Sequence, residues 1–431
     1  MIRQFQSARE ALESGIAKNS IRVFAGNIVG ATAGLAVSIT FAKHLGPAEF
    51  GLLSSCLFLM NLLIQISDAG LEKTTVRYSV GGHLGLDLDE VFRSLLILRA
   101  GLGALIAGIV YIFRTHIAVD ILQKPDLAEY ISLIAIGIFF GSVNQMFLAK
   151  LQALASFTKY CFLRAGVNVF KVTLLLGLLT AYVLTVWNAV MITILAIIIG
   201  TAFAVALLWK VIREKKKVRS STLLKLLPYS KWVTVMQWSS ILVINLPVLI
   251  LTRYCEATEV GYYSAAAAIC MGISFVSEAI GIVLFPRYSM FSEANRVVTE
   301  NRIITRWLLV LCIPGFFLIL FARPITVLVY GISFRDASPI FSLLVFGSLV
   351  DLAFKSYTIA MLRANEIYLS AIVGLSRLFV LLLVSWFLID NRGSLGVAAG
   401  VVFSGICGAV LSVLFVNKSL AVEVGKENKR L

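Results

Sequence analysis

The chain has 431 residues, 59% hydrophobic and 14% charged, with a formal net charge of +15 and mean hydropathy +0.92. Soluble domains carry charge on about a quarter of their residues, so this composition excludes a soluble globular protein and specifies an integral membrane one. The positive charge does not indicate nucleic acid, because Lys and Arg sit between apolar runs, as membrane-flanking loops do, rather than across a soluble face.

The opening residues, MIRQFQSAREALESG, are polar and of mixed charge. They lack the apolar core of a cleavable signal, so the first membrane helix is expected to act as its own insertion signal. A spanning helix needs about 20 mostly apolar residues. Twelve such runs follow, at 21–42, 51–70, 94–114, 128–149, 162–184, 187–209, 232–252, 260–284, 304–325, 338–361, 367–389 and 395–417. They are continuous rather than alternating, which predicts helices and not a barrel.

The chain contains its second span twice. Phe50-Gly51-Leu52-Leu53-Ser54 returns 210 positions later as Val260-Gly261-Tyr262-Tyr263-Ser264. At the same offset Ser67-Asp68-Ala69 returns as Ser277-Glu278-Ala279, and Arg77-Tyr78-Ser79 as Arg287-Tyr288-Ser289. Leu151-Gln152-Ala153 returns one residue later as Leu362-Arg363-Ala364, which implies a single insertion. A repeat of this length sets the architecture. It predicts a six-helix lobe at 1–209, a basic linker at 210–231, a second six-helix lobe at 232–417 and a tail at 418–431. Six is even, so both lobes enter the membrane in the same direction, as in transporters built from parallel repeats. The substrate path is expected between the lobes.

Lys and Arg set the orientation. One set of connections holds Arg3, Arg9, Lys18, Lys73, Arg77, Lys159, Arg164, the block at 210–231, Arg287, Arg296, Arg302, Arg363 and the tail. The alternate set holds only Lys43, Arg114, Lys124, Arg253, Arg323, Arg335 and Arg392. Both termini are therefore expected to be cytoplasmic. In the linker, Ser220 and Ser221 can cap a short helix, Thr222 to Leu227, lying on the membrane surface. The basic block is expected to anchor the orientation, and contact with anionic lipid head groups is its functional alternative.

Catalytic signatures are missing from the sequence. There is no Walker A spacing, no GxSxG and no HExxH. The six cysteines are scattered, and His44, His83 and His116 are isolated, so no metal site, cofactor or disulfide framework is expected. The connections are short, which speaks against an enzyme with catalytic external loops.

The informative residues are polar ones inside the spans, where charge is costly and faces a cavity or a partner. Arg99, Lys171, Lys355 and Arg377, with Asn27, are candidate cavity residues. Asp68, Glu278, Arg77, Arg287 and Asp351 are candidates for gating or coupling. Several have plain structural alternatives. Asp351 and Lys355, four apart, could neutralise each other on one helix face. Arg99 could snorkel to the surface. Asn27 and its repeat counterpart Gln237 could be interhelical hydrogen-bond links. Asp68 with Arg77, and Glu278 with Arg287, are expected to form matching latches near the cytoplasmic boundary. Lys171 and Arg377 lie too deep to snorkel and lack an acid on their own helices.

Ala25-Gly26-Asn27, Leu45-Gly46-Pro47-Ala48-Glu49-Phe50-Gly51, and Asp68-Ala69-Gly70-Leu71 running into Val76-Arg77-Tyr78 resemble the polysaccharide-biosynthesis, O-antigen-type flippases of the multidrug/oligosaccharidyl-lipid/polysaccharide exporter superfamily. The likeness covers the chain as a twelve-span plan, with its motifs concentrated in residues 20–80. It implies an all-α, V-shaped pair of six-helix lobes working by alternating access in the bacterial inner membrane. The implied cargo is an undecaprenyl-pyrophosphate-linked oligosaccharide. Membrane lipids are implied partners, with glycan polymerase and other assembly proteins as further candidates. No catalytic residues are carried over.

Such a cargo is anionic at its head, polar in its sugars and apolar in its tail. Its passage requires a hydrated cavity with excess positive charge, and four basic candidates against two deep acids match that sign. The main alternative is a cation-coupled drug or metabolite exporter, which would be built around unpaired deep carboxylates. A membrane enzyme of glycan assembly and a scaffold for glycosyltransferases are the alternatives from other classes.

Overall fold

The computed structural model describes residues 15–79, 88–154, 156–180, 184–209, 213, 220–289, 294–363 and 367–427. Among them there is no strand. Among the described residues, fourteen α-helices of eight residues or more carry the fold. In the first half they are α1 (Gly15–Ile66), α2 (Leu71–Ser79), α3 (Leu88–Ile112), α4 (Leu127–Ala153), α5 (Phe157–Thr180) and α6 (Val186–Leu207). In the second they are α7 (Ser220–Tyr254), α8 (Ala257–Ser289), α9 (Ala294–Leu311), α10 (Ile313–Leu320), α11 (Ala322–Tyr330), α12 (Ser338–Ala353), α13 (Lys355–Arg363) and α14 (Ile367–Glu427).

Among the described residues, ten helices are long and apolar enough to cross a membrane. Two of them are too long for one crossing. The apolar part of α1 runs for 39 residues and that of α14 for 51, whereas a hydrocarbon core of about 30 Å takes about 20 residues at 1.5 Å each. Both are broken by a glycine with positive φ, Gly46 (φ 75°) in α1 and Gly393 (φ 50°) in α14. Pro47 directly follows the first break, where its fixed φ starts a new helix without losing a useful donor. Each long helix is thus two spans joined by a minimal turn, which gives the twelve crossings expected from the sequence.

Two further spans are interrupted. The ninth divides at Cys312, just before Pro314 in α10, since proline cannot continue the ladder behind it. The tenth divides at Phe354 (φ −98°, ψ 12°) between α12 and α13, with no proline or glycine at the break. The amphipathic stretch expected at Thr222 to Leu227 is not separate. It is the first part of α7, continuous from Ser220 to Tyr254. Large apolar side chains lie on the surface, including Leu105, Ile112, Trp307, Leu320, Trp386 and Phe387. In water such a surface would aggregate; against lipid tails it is ordinary.

The chain packs as two compact units. One comprises Met1–Val37, Leu63–Phe113 and Tyr130–Ser230; the other comprises Ser38–Leu62, Arg114–Glu129 and Lys231–Leu431. The division therefore runs through the first and second spans as well as near the basic linker. The first unit has a core of Val91, Phe92, Leu95, Phe147 and Leu151 between α3 and α4. In the second, Val248, Val260, Phe341, Val345 and Val397 tie α7, α8, α12 and α14 together.

Residues 38–62 join the second unit through the repeated motif itself. A methyl group on Gly51 would overlap the carbonyl oxygen of Ala257, and one on Gly261 would overlap the carbonyl oxygen of Pro47. Pro47 and Ala257 are themselves 210 positions apart, as are Gly51 and Gly261. Reciprocal contact between equivalent residues is what a two-fold axis running between them produces. Next to it, the Ser55 and Thr252 hydroxyls lie 2.7 Å apart, both buried.

Candidate functional site

In the first unit the D-A-G-L stretch is a capping turn. Ala69 and Gly70 both have positive φ (44° and 75°), and Asp68 Oδ1 accepts a hydrogen bond from the Glu72 amide at the start of α2 (3.1 Å). The same oxygen lies 2.7 Å from Arg99 Nη1. Arg99 is 1% exposed. It also donates from Nη2 to the Ile64 carbonyl (3.0 Å) and from Nε to the Ser142 carbonyl (3.3 Å). The sequence places Arg99 in a cavity or at the surface. The structure instead buries Arg99 against Asp68, pinning the end of the second span to the third and fourth. Arg99 is committed because two carbonyls accept from its Nε and Nη2 and the Asp68 carboxylate lies against its Nη1.

Glu72, which sequence reasoning passed over, sits beside this pair. Burial, with the Asp68 carboxylate second, pushes its carboxyl up to about 7, against the pull of Arg99, Arg164 and Lys73. Only its position one turn after a capping aspartate could have drawn attention to it.

Lys171 lies in α5, a helix whose apolar window is only 11% buried. Lys171 is half-buried, and among the described residues it has no hydrogen-bond or ion-pair partner. One turn before it, Asn168 donates to the Gly30 carbonyl of α1 at 2.8 Å. Gly30 and Gly34 present bare backbone there, with Asn168 and Ala165 within 4 Å of where side chains would stand. Small residues permit this close approach of α1 to α5, and the amide bond fixes the turn from which Lys171 projects.

In the second unit four charges from four helices come together. Arg377 Nη2 of α14 donates to Asp351 Oδ2 of α12 at 2.9 Å. Arg377 is the partner that Asp351 takes; the Asp351–Lys355 pairing weighed from the sequence is not formed. Its premise was one continuous helix, but α12 ends at Ala353 and Lys355 begins α13. The Arg377–Asp351 pair lies over the second arm of α14. A Cβ at Gly408 would stand 2.6 Å from Arg377 Cδ, and one at Gly405 would stand 3.7 Å from Asp351 Oδ1. Arg377 Nε is buried with no partner among the described residues.

Lys355 lies along α8, its Cε 3.5 Å from where a Cβ of Gly281 would be. The charges acting on it are those of Asp351, Glu278 and Arg377. Glu278, one turn before Gly281, is exposed. Two cations and two carboxylates make this cluster neutral, and the Asp68–Arg99 pair is neutral as well. Lys171 therefore carries the positive excess among the span charges placed here. The side chains of Asn27, Arg77 and Arg287 lie outside the described residues. Among the described residues no cluster of metal-ligating groups occurs.

Glu259 is a further polar residue of structural weight. Its Oε2 accepts from the Ser394 amide at 2.6 Å, closing the turn at Gly393. A side chain on Gly393 would collide with that carboxylate. Glu259 is the repeat counterpart of Glu49, so the repeated acid-x-glycine pattern was the available signal for it.

A family model described as polysaccharide biosynthesis protein matches residues 40–339. The chain is 24% identical over 275 residues to the lipopolysaccharide biosynthesis protein WzxC of Escherichia coli K12, covering 62% of this chain and 53%, about half, of that relative. It is 22% identical over 383 residues to a candidate O-antigen transporter of Shigella flexneri, covering 83% of this chain and 87% of the relative. Among solved structures, the inward closed conformation of the lipid II flippase MurJ superposes with a TM-score of 0.76 at 14% identity, covering 92% of this chain and 87% of that one. An inward-facing multidrug resistance MATE transporter gives 0.71 at 16% identity, covering 93% and 96%. At these identities the two structures establish a shared fold.

Proposed function

The chain belongs to the polysaccharide biosynthesis protein family and is a multi-pass membrane protein, and on that premise we propose that it moves a lipid-linked glycan across the membrane. The proposed cargo is an undecaprenyl-pyrophosphate-linked oligosaccharide, a repeat unit of O-antigen, capsule or exopolysaccharide. The proposed membrane is the bacterial inner membrane, with both termini cytoplasmic. The names of the relatives support transport rather than bond-making chemistry.

One observation carries this reading: cations inside apolar spans keep donors that no group among the described residues uses. Lys171 has no partner among the described residues, and Arg377 gives Asp351 one edge while its Nε stays unpaired. An uncompensated charge at the helix centre costs about 3 kcal/mol on insertion scales, and an anionic ligand offsets that cost. Lys171 and Arg377 occupy the fifth and eleventh spans, matching positions of the two repeats. In this reading each contributes positive potential for the pyrophosphate, and Arg377 offers the planar fork that suits phosphate oxygens.

The test is export of the glycan by Lys171→Ala and Arg377→Ala variants shown to be folded and inserted. Export stops if the reading is right. Normal export in both would overturn it.

A cation-coupled exporter has one observation in its favour. Glu278 is an exposed carboxylate within the eighth span, with no ion pair among the described residues. Transport of a cationic dye, measured against transport of a lipid-linked sugar by the same protein, separates the two.

A further inference from the structure

Between the ninth and tenth spans the chain makes a short 3-10 turn, Ile332–Ala337, entered through Gly331 in the left-handed region (φ 101°). Around it the chain is bare: Ile332, and Leu328 on the helix before it, are both about four-fifths exposed (80% and 82%). Phe334, in the middle of the same turn, is 0% exposed. Its backbone is held off the helical region (φ −101°, ψ 15°), so the turn bends at this residue.

The Phe334 ring stands edge-on to two others. It meets Phe50 with centroids 6.1 Å apart at 76°, and Tyr262 at 6.1 Å and 78°. Tyr330 leans on it at 5.3 Å. Edge-to-face is the arrangement that aromatic quadrupoles favour. Phe50 and Tyr262 come from the two repeat-related helix starts, Phe50 immediately before Gly51 and Tyr262 immediately after Gly261. One ring from a connecting turn is therefore shared by the two segments that the glycine contact brings together. If those segments part, Phe334 can follow only one of them and must lose the other.

The corresponding turn of the first half, residues 114–126, has the sequence RTHIAVDILQKPD, with no Phe, Tyr or Trp. It buries Leu122 instead. The wedge is therefore one-sided in a molecule built from a repeat, and it is not a by-product of the symmetry.

We infer that Phe334 is a wedge that locks the Gly51–Gly261 seam and sets how readily these helix starts separate. Its use in a transport cycle rests on the transport reading above; the lock itself does not. When the seam opens, the buried face behind it is uncovered. Cys56 is buried (1% exposed) directly after Ser55, whose hydroxyl meets that of Thr252 beside the glycine contact. Cys312, also buried, sits at the break of the ninth span and serves as the internal reference.

The experiment is maleimide labelling of the full-length protein in lipid nanodiscs, quantified separately at Cys56 and Cys312 by mass spectrometry. Phe334→Ala is expected to speed labelling at Cys56 about tenfold or more, as expected for losing two favourable ring pairs, with Phe334→Leu intermediate. Cys312 keeps its rate in both. Arg377→Ala, which alters the proposed glycan site, leaves Cys56 unchanged. If Phe334→Ala does not fold, Phe334→Leu decides on the same terms. A folded variant that labels at the parent rate overturns the wedge, and so does a parallel rise at Cys312, which means general loosening. The readout needs no glycan. Loss of the wedge would therefore leave the Lys171 and Arg377 export results standing, and failure of the export reading would leave the labelling result standing.

Discussion

Gly51 and Gly261 stand 210 positions apart in sequence and meet in reciprocal contact, each against the carbonyl that is the other's repeat-related neighbour. The atoms a new side chain would strike are backbone, which cannot swing aside. Gly51→Ala or Gly261→Ala is therefore expected to destabilise by about 1–3 kcal/mol or more, and valine to prevent assembly of the second unit. Thermal unfolding in detergent measures this. An unchanged melting temperature for both alanine variants would contradict the seam.

Asp68 and Arg99 form a buried pair in which the arginine has nowhere else to go. Asp68→Ala leaves a desolvated guanidinium and is expected to cost about 3–5 kcal/mol. Replacing both, Asp68→Leu with Arg99→Met, should recover much of that loss, because no charge is then left unpaired. A double variant as unstable as the single one would mean that the pair does more than neutralise itself.

The number of spans was legible because apolar runs must be continuous to cross a bilayer, and the repeat was legible because Gly51 and Gly261 admit no other residue. The pairing of charges was not. Asp68 finds Arg99, 31 residues away and on another helix, and nothing local in the sequence encodes that approach. Asp351 and Lys355 have the spacing of a helical pair, yet the helix stops at Phe354 without a proline or glycine to announce it. Asp351 turns instead to Arg377, where Gly405 and Gly408 leave space. Glycines in an apolar run read as helix-packing residues; that they shelter an ion pair is a tertiary fact.

Glu72 gives a pH signature. Its carboxyl is raised from the ordinary glutamate value to about 7, mainly by burial. A raised acid holds its proton more tightly in the folded chain, so its contribution to stability is complete below about 4.5 and is lost as pH rises through about 7. Glu72→Gln should flatten the fall in melting temperature across that window and leave the variant a few degrees more stable than the parent at pH 8. Parallel pH profiles for the two proteins would show that Glu72 titrates normally.

The proposed orientation is checked by reporter fusions. Fusions at residue 220 and at both termini should report the cytoplasm, and a fusion at residue 120 the opposite side, as the distribution of Lys and Arg requires. The reverse pattern would invert the proposed direction of transport.

The central claim is that Lys171 and Arg377 serve an anionic lipid-linked cargo and not the fold alone. The most direct measurement is flipping of a pyrophosphate-linked oligosaccharide lipid by the purified protein in liposomes, comparing the parent with Lys171→Ala, Arg377→Ala, Lys171→Glu and the charge-swapped pair Asp351→Arg with Arg377→Asp. We expect loss of flipping in both alanine variants, a deeper loss in Lys171→Glu because it opposes an anion, and no recovery in the swapped pair although its ion pair is restored. Full activity in both alanine variants, or recovery in the swapped pair with Lys171→Ala still active, would contradict the account.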